Sequence, residues 1–340
     1  MAKLRIGVLY DYWWGEDEER SEGTRPKRKP PDEDVADVYE ALKEAGHYPV
    51  YLRLDGTRES LVEVAHSETD LIFNLVESFG GDDTKDSDVA GFLELLGRPF
   101  TGAGSQGLYL AQDKALAKKI FAFHGIHTPY FATVFRGRTE HSHDIEFPVI
   151  VKPAREDGSI GIHFGAVCTS IKELMERIDY IHAEFDSPAL IEEYIEGREL
   201  YVGVVGNEKP EALPAVEMDL SKLPQGTPKI AGTEVKWEEG TEAYRQTKAF
   251  LPEDLDEDLA TKLGETAVQA FQALQLRDYG RIDFRLAADG TLHVLEVNPN
   301  PYLLPTSELA MAAKKSGRSY PELIGHIVDL ALGRYPNHAS

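Results

Sequence analysis

Residues 280–301 read GRIDFRLAADGTLHVLEVNPNP, two short apolar runs on either side of the turn signal AADG. Alternation of apolar and polar residues marks both runs as strands. Ile282, Phe284 and Leu286 face one way, and Arg281, Asp283 and Arg285 the other. On the second run the same alternation sets Leu292, Val294, Glu296 and Asn298 on one face. A loop of even length brings Asp283 and Glu296 to the same side, where like charges repel. Clustered Asp, Glu and Asn oxygens are hard ligands and suit Mg²⁺, which takes few protein carboxylates and completes its shell with phosphate and water. A cation there cancels the repulsion, and Arg281 beside it can stabilise developing negative charge. A solvated polar sheet face would explain one such hairpin alone. Against it stand the complete donor set of Asp283, Glu296 and Asn298 and the stiff NPNP exit at 298–301.

The rest of the chain sets the context. Its 340 residues suffice for two or three domains with a large core, and 42% hydrophobic with 28% charged residues describes a globular protein. The formal charge is −23, with a pI of about 4.9. Such an acidic chain is repelled by nucleic acid and by anionic membrane surfaces. Phosphates would have to be held by a few local cations, helix N-termini or metal ions. Cys168 stands alone, so no intramolecular disulfide forms, as expected of a reducing cytoplasm. No apolar run reaches membrane-spanning length, and the first residues read as a strand rather than a leader.

Working from the N-terminus, LRIGVLYDY, YPVYLRLD and TDLIFNLVE read as strands, with DEDVADVYEALKEAG and DSDVAGFLELLG as helices. This alternation predicts an open, mostly parallel sheet with helices on its faces. The long loop after the first strand carries a basic tract, Arg25, Lys27, Arg28 and Lys29, which fits either an anion-gripping flap or a solvated, Pro-stiffened surface. TGAGSQGLYLAQDKALAKKIFAFHG reads as a helix ending at Gly125. FPVIVKP and REDGSIGIHFGAVC follow as two strands joined by a glycine-bearing loop, and SIKELMERIDYIHAEF as a helix. ALIEEYIEGRELYVGVVG then reads as a strand pair around Gly197. A long helix (EDLATKLGETAVQAFQALQL) precedes the hairpin, and SYPELIGHIVDLAL closes the chain as an amphipathic helix.

Three further places could carry chemistry. Lys152 ends a strand ahead of Gly158, Ser159 and Gly161; glycines let backbone approach phosphate and a lysine adds a point charge, although a lysine at a strand edge can equally be a snorkelling side chain. Glu192 and Glu193, with Tyr194 and Ile195, form an acidic hinge able to hold an adenine, and Glu199 lies seven residues beyond Glu192, in reach of ribose hydroxyls. A solvent-facing acidic turn fits either glutamate as well. Lys114 is one of three lysines in LAQDKALAKK and, by composition, sits on a helix surface.

In succession, a lysine in a helix, a lysine before a glycine loop, an acidic hinge, and GRIDF…LEVN resemble the ATP-grasp superfamily, and within it the D-alanine–D-alanine ligases over nearly the whole chain. The resemblance implies an α/β architecture: an N-terminal open parallel-sheet (Rossmann-like) domain over 1–103, then two α+β ATP-grasp subdomains. These span 104–194, with the phosphate-loop lid, and 195–340, with the metal and catalytic residues. It assigns ATP to Lys114, Lys152, Gly158, Ser159, Glu192, Tyr194, Ile195, Glu199 and Lys236. Two Mg²⁺ ions, or Mn²⁺, fall to Asp283, Glu296 and Asn298, and catalysis to Arg281 and Lys152. The implied chemistry is attack of a substrate carboxylate on the γ-phosphate, giving an acyl phosphate, followed by attack of an amine to form an amide.

The amino-acid pocket departs from that pattern. The glutamate that holds the first ammonium has no alignable equivalent in DYWWGEDEE, where Glu16 or Asp17 could substitute. The family's serine position falls on Gly158, Trp237 stands at a tyrosine, and Pro301-Tyr302 replaces a proline-glycine pair. Ser307 remains for the second substrate's carboxylate. The implied substrates are therefore amino acids or small peptides, D-alanine among them. A homodimer in the cytoplasm is what the resemblance implies, and a nucleotide-binding protein without catalysis is the alternative of a different class.

Overall fold

The computed structural model describes residues 3–12, 33–141, 146–156, 158–185, 187–236, 238 and 240–335. Glu16, Asp17, Trp237 and the basic tract at Arg25, Lys27, Arg28 and Lys29 lie outside them.

Strands β1 (Arg5–Asp11), β2 (Tyr48–Leu54) and β3 (Leu71–Asn74) form a parallel sheet in the order β2-β1-β3. Parallel pairing needs a crossover, supplied here by helices α1 (Glu33–Glu44) and α2 (Arg58–Ala65). Ile6, Val8, Leu71 and Phe73 pack against Val35, Val38 and Leu42 of α1. Helix α3 (Asp86–Leu95) follows.

The expected single helix after residue 104 is two: α4 (Ser105–Gln112) and α5 (Lys114–Phe123). Asp113 breaks it. Its backbone is extended (φ −81°, ψ 91°), and its carboxylate accepts from the Leu116 amide, capping α5. A cap of this kind contributes about 1 kcal/mol. It also makes Lys114 the first residue of a new helix, and there the lysine is only 3% exposed, not the surface residue its composition suggested.

The second sheet is antiparallel, in the order β5-β4-β8-β6-β7: β4 (Phe131–Phe135), β5 (Arg138–His141), β6 (Val149–Pro153), β7 (Val167–Cys168) and β8 (Ala189–Glu193). Helix α6 (Ile171–Glu184) covers it, with Ile178 and Ile181 against Val149, Val151 and Ile191.

The third sheet runs β12-β11-β9-β13-β14 with β10 on β9: β9 (Gly197–Val205), β10 (Glu211–Ala212), β11 (Val216–Met218), β12 (Ala249–Phe250), β13 (Tyr279–Ala287) and β14 (Leu292–Asn298). β8 and β9, read as a pair around Gly197, belong to different sheets. At their junction Gly197 lies so close to β13 that a Cβ on it would come 2.0 Å from the Leu286 carbonyl oxygen. Helices α7 (Thr233–Lys236), α8 (Glu242–Gln246), α9 (Glu257–Ala273), α10 (Glu308–Lys315) and α11 (Tyr320–Gly333) complete the chain. Leu263, Ala267, Ala270 and Phe271 of α9 pack on the apolar face of the hairpin, formed by Ile282, Phe284, Leu286, Leu292, Val294 and Val297.

That face corrects one expectation. Leu292 and Val294 do not share a side with Glu296 and Asn298. Three residues, Ala288 to Gly290, make the turn, with Gly290 at φ +84° and its amide donating to the Ala287 carbonyl. An odd turn by itself would set Leu295 opposite Asp283. A bulge supplies the missing residue: Phe284 pairs with Val294 and Asp283 with Glu296, leaving Leu295 unpaired. Beyond the bulge the phase reverses, so Glu296 and Asn298 leave the core face and join Asp283 and Arg281.

Candidate active site

The charged face of the hairpin is built by register. Asp283 stands directly opposite Glu296, and Arg281 opposite Asn298. Arg281 spans both oxygens of Asp283, from Nε at 2.7 Å and Nη2 at 2.9 Å, and lies over the Tyr201 ring at 4.9 Å. Lys114 reaches Glu296 at 3.3 Å and donates to the Glu156 carbonyl at 2.6 Å. Burial, aided by Glu296, pushes the Asp283 carboxyl up to about 6 despite Arg281. Burial acts on Glu296 as well, but Lys114, Lys236, Lys152 and Arg281 outweigh it and hold that carboxyl down at about 2. The exit is pinned where Asn300 accepts from the Ala103 amide at 3.1 Å.

A second charged cluster lies under the central sheet. Glu192, 1% exposed, receives Lys152 at 2.7 Å on one oxygen and Lys118 at 2.9 Å on the other. Lys118 also donates to Thr128 Oγ1 at 2.6 Å, and Thr128 in turn to the Val294 carbonyl beside the bulge at 2.9 Å. Burial draws the Lys118 amine down, with Lys152 adding repulsion; burial also opposes the Glu192 charge, but the two lysines hold that carboxyl below the usual range. The contacts themselves show an imbalance, two lysines around one carboxylate. Sequence reasoning missed Lys118. Its signal was the spacing of four from Lys114, which puts both on one side of α5.

The glycine loop follows Lys152 and β6 in the chain. Gly158 and Ser159 both take left-handed conformations, φ +61° and +66°, and Ser159 donates to the Ala231 carbonyl at 2.9 Å. A non-glycine residue held in that region is strained and persists only where its surroundings fix it. The loop is further tied to α7 through Thr233 N to Ile162 O at 2.8 Å and Phe164 N to Glu234 Oε1 at 2.9 Å. This docking brings Lys236, at the end of α7, close enough to act on both hairpin carboxylates. After β8, the Tyr194 hydroxyl accepts from the Lys229 amide at 2.9 Å, and Ile195 is half-buried. Glu199 is buried with Arg285 at 2.8 Å on one oxygen and the Tyr201 hydroxyl at 2.7 Å on the other.

At the far end, Arg281 Nη1 points to Glu308 at 3.2 Å. Ser307 caps α10: its hydroxyl donates to the Leu304 carbonyl at 2.8 Å and accepts from the Ala310 amide. Tyr302 is 41% exposed on the segment between. Glu308 went unread in the sequence because it follows the serine that drew the reading, and Arg285 was placed on the polar face of the hairpin without a role in the site.

Among the described residues no group of three or more His, Cys, Asp or Glu side chains gathers as a metal site. Two carboxylates and an amide suit an ion that draws the rest of its shell from phosphate and water. Asn298 would offer its Oδ1 to such an ion; its Nδ2, a donor buried without a partner, cannot ligate a cation and is left for an acceptor such as a phosphate oxygen.

A parallel sheet, then two antiparallel sheets that bring buried lysines to a carboxylate-bearing hairpin, is the ATP-grasp architecture. Residues 120–329 match the family described as the D-ala D-ala ligase C-terminus. The D-alanine–D-alanine ligase of Aquifex aeolicus is 33% identical over 293 residues, covering 86% of this chain and 92% of that protein. "Uncharacterized protein y4sG" of Sinorhizobium fredii is 35% identical over 318 residues, covering 92% and 91%. The crystal structure of the D-alanine–D-alanine ligase from Bacillus anthracis complexed with ATP has the same fold, with a TM-score of 0.71 at 21% identity over 98% of this chain and 99% of that one. The chain belongs to the D-alanine–D-alanine ligase family, whose members are ATP-dependent, peptide-forming ligases.

Proposed function

We propose that this protein joins an amino-acid carboxylate to an amine in an amide bond, using ATP and Mg²⁺ and passing through an acyl phosphate. The observation that carries the reading is the cross-strand pair of Asp283 and Glu296, with Arg281 on one carboxylate and Lys114 on the other. Asp283, Glu296 and Asn298 would hold the metal, which when bound neutralises and aligns the phosphates. Lys114 and Lys152 then turn from their carboxylates to phosphate oxygens, and Glu192 keeps Lys118 while its freed oxygen accepts from the adenine amino group. Glu199 faces the ribose, and Tyr194 and Ile195 the base. Gly158 and Ser159 cover the phosphates, with Lys236 beside them. Arg281 stabilises the oxyanion formed when the amine attacks.

The domains divide this work as 1–103, 104–194 and 195–340. Among the described residues no helix is long and apolar enough to cross a membrane, and with the charge of −23 this supports a cytoplasmic enzyme acting on small molecules, neither nucleic acid nor membrane. A homodimer follows the family.

Phosphate release from ATP is the test, with each amino acid in both enantiomers and mass spectrometry of the product. ADP together with an amide-linked product supports the reading. Release of ADP with a phosphorylated amino acid and no amide would replace ligation by simple phosphorylation, and ATP binding without turnover would favour the non-catalytic class.

A further inference from the structure

The surroundings of Arg281 say what kind of amine the site takes. The guanidinium has two usable edges. Nε and Nη2 are spent on Asp283, fork on fork, and Nη1 faces Glu308. The pair is sheltered, with side-chain exposures of 12% for Arg281 and 23% for Glu308. Ser307 has committed its proton to the Leu304 carbonyl. The anion favoured by the first turn of α10 is already present, because Glu308 is its first residue.

A free carboxylate arriving beside Arg281 would therefore meet a cation that is already neutralised and an acid that repels it. We infer that the amine substrate presents a neutral amide there, as an amino-acid amide or the amino end of a peptide, in place of a free α-carboxylate. An amide matches the Arg281–Glu308 pair in both senses: its carbonyl accepts from the guanidinium and its N–H donates to the carboxylate. The inference rests on the ligase reading given above. In the step concerned, the amine lone pair forms the C–N bond. The acyl C–O bond to phosphate breaks, phosphate leaves with the electron pair, and the amine loses one proton to solvent.

The test uses the full chain with ATP, Mg²⁺ and whichever amino acid it activates. Hydroxylamine, which attacks acyl phosphates without needing a built site, reports in each enzyme whether activation occurs. Matched acceptors are then compared: D-alanine with D-alaninamide, L-alanine with L-alaninamide, and glycine with glycinamide. Amides have less basic amines, so the decisive quantity is how their kcat/KM ratio to the free acids differs between wild type and Glu308→Leu, in which amine basicity cancels. The expected result is a wild-type preference for the amide that falls about tenfold or more in Glu308→Leu, through a lower KM for the free acid. Glu308→Gln, closer in shape, should shift the ratio in the same direction by less. A ratio unchanged in both variants, or one that moves further toward the amide, would overturn the inference. Absence of hydroxamate with every amino acid would instead sink the ligase reading, and this inference with it.

Discussion

The two charged clusters invite comparison because their imbalances are opposite. Under the central sheet, Lys118 and Lys152 surround Glu192, with Lys114 nearby; cations exceed anions. On the hairpin, Asp283, Glu296 and Glu308 surround Arg281; anions exceed cations. Buried ions that balance one another need nothing more, whereas an excess left in a sheltered place is costly until a ligand of the other sign arrives. In the proposed reaction the cationic cluster would be completed by phosphates and the anionic one by metal. Lys114 on Glu296 is where the two excesses meet while both wait.

Substitutions can break this contrast or sharpen it. The largest effect belongs to the hairpin: Asp283→Asn should lower kcat by about 10³-fold, the several kcal/mol that a metal-held charge contributes. Steady-state phosphate release measures it, and a loss within tenfold would remove the metal from the anionic cluster. Next comes Lys118→Met. Leaving a buried acid with half its partners should cost about 3 kcal/mol in a denaturation midpoint and raise KM for ATP more than it lowers kcat. An unchanged KM would make Lys118 a structural residue alone.

A smaller effect follows pH. The folded pKa of Glu192 lies below its ordinary 4.5. The charge therefore stabilises the fold fully above that value, and the benefit is lost as pH falls through the folded pKa. Glu192→Gln should be less stable than wild type at neutral pH, and urea midpoints of the two should converge in acid below 4.5. Curves that stay parallel would deny that Glu192 is held ionised. The smallest effect is at Gly290, where φ is +84° and nothing lies within 4 Å of an added Cβ. Gly290→Ala should cost about 1 kcal/mol from backbone strain, seen as a small drop in Tm with kcat untouched.

Much of this was open to reading in the sequence. Strand alternation gave the hairpin, and the order of lysine, glycine loop, acidic hinge and GRIDF…LEVN gave the fold. What stayed hidden has physical causes. A bulge needs no special residue, so Leu295 looked like any other strand leucine and the phase reversal after it went unread. The break at Asp113 did have a cue, an aspartate ahead of an apolar helix, but the helical pattern continues across it and masked the cap. Lys118 and Glu308 are charged residues on helices, where exposure is the ordinary outcome. Only the contacts of Lys118 with Glu192 and of Glu308 with Arg281 show that the first is enclosed and the second half-buried.

The bulge at Leu295 makes parity a property of this hairpin. Three turn residues plus one bulge residue keep Asp283 and Glu296 abreast, and a two-residue turn without the bulge would do the same. A change of one residue on either side alone would turn Glu296 toward Phe284 and the core. Insertions and deletions between residues 284 and 295 are therefore tolerated in twos. Any graft of this loop into another ligase must count the turn and the bulge together.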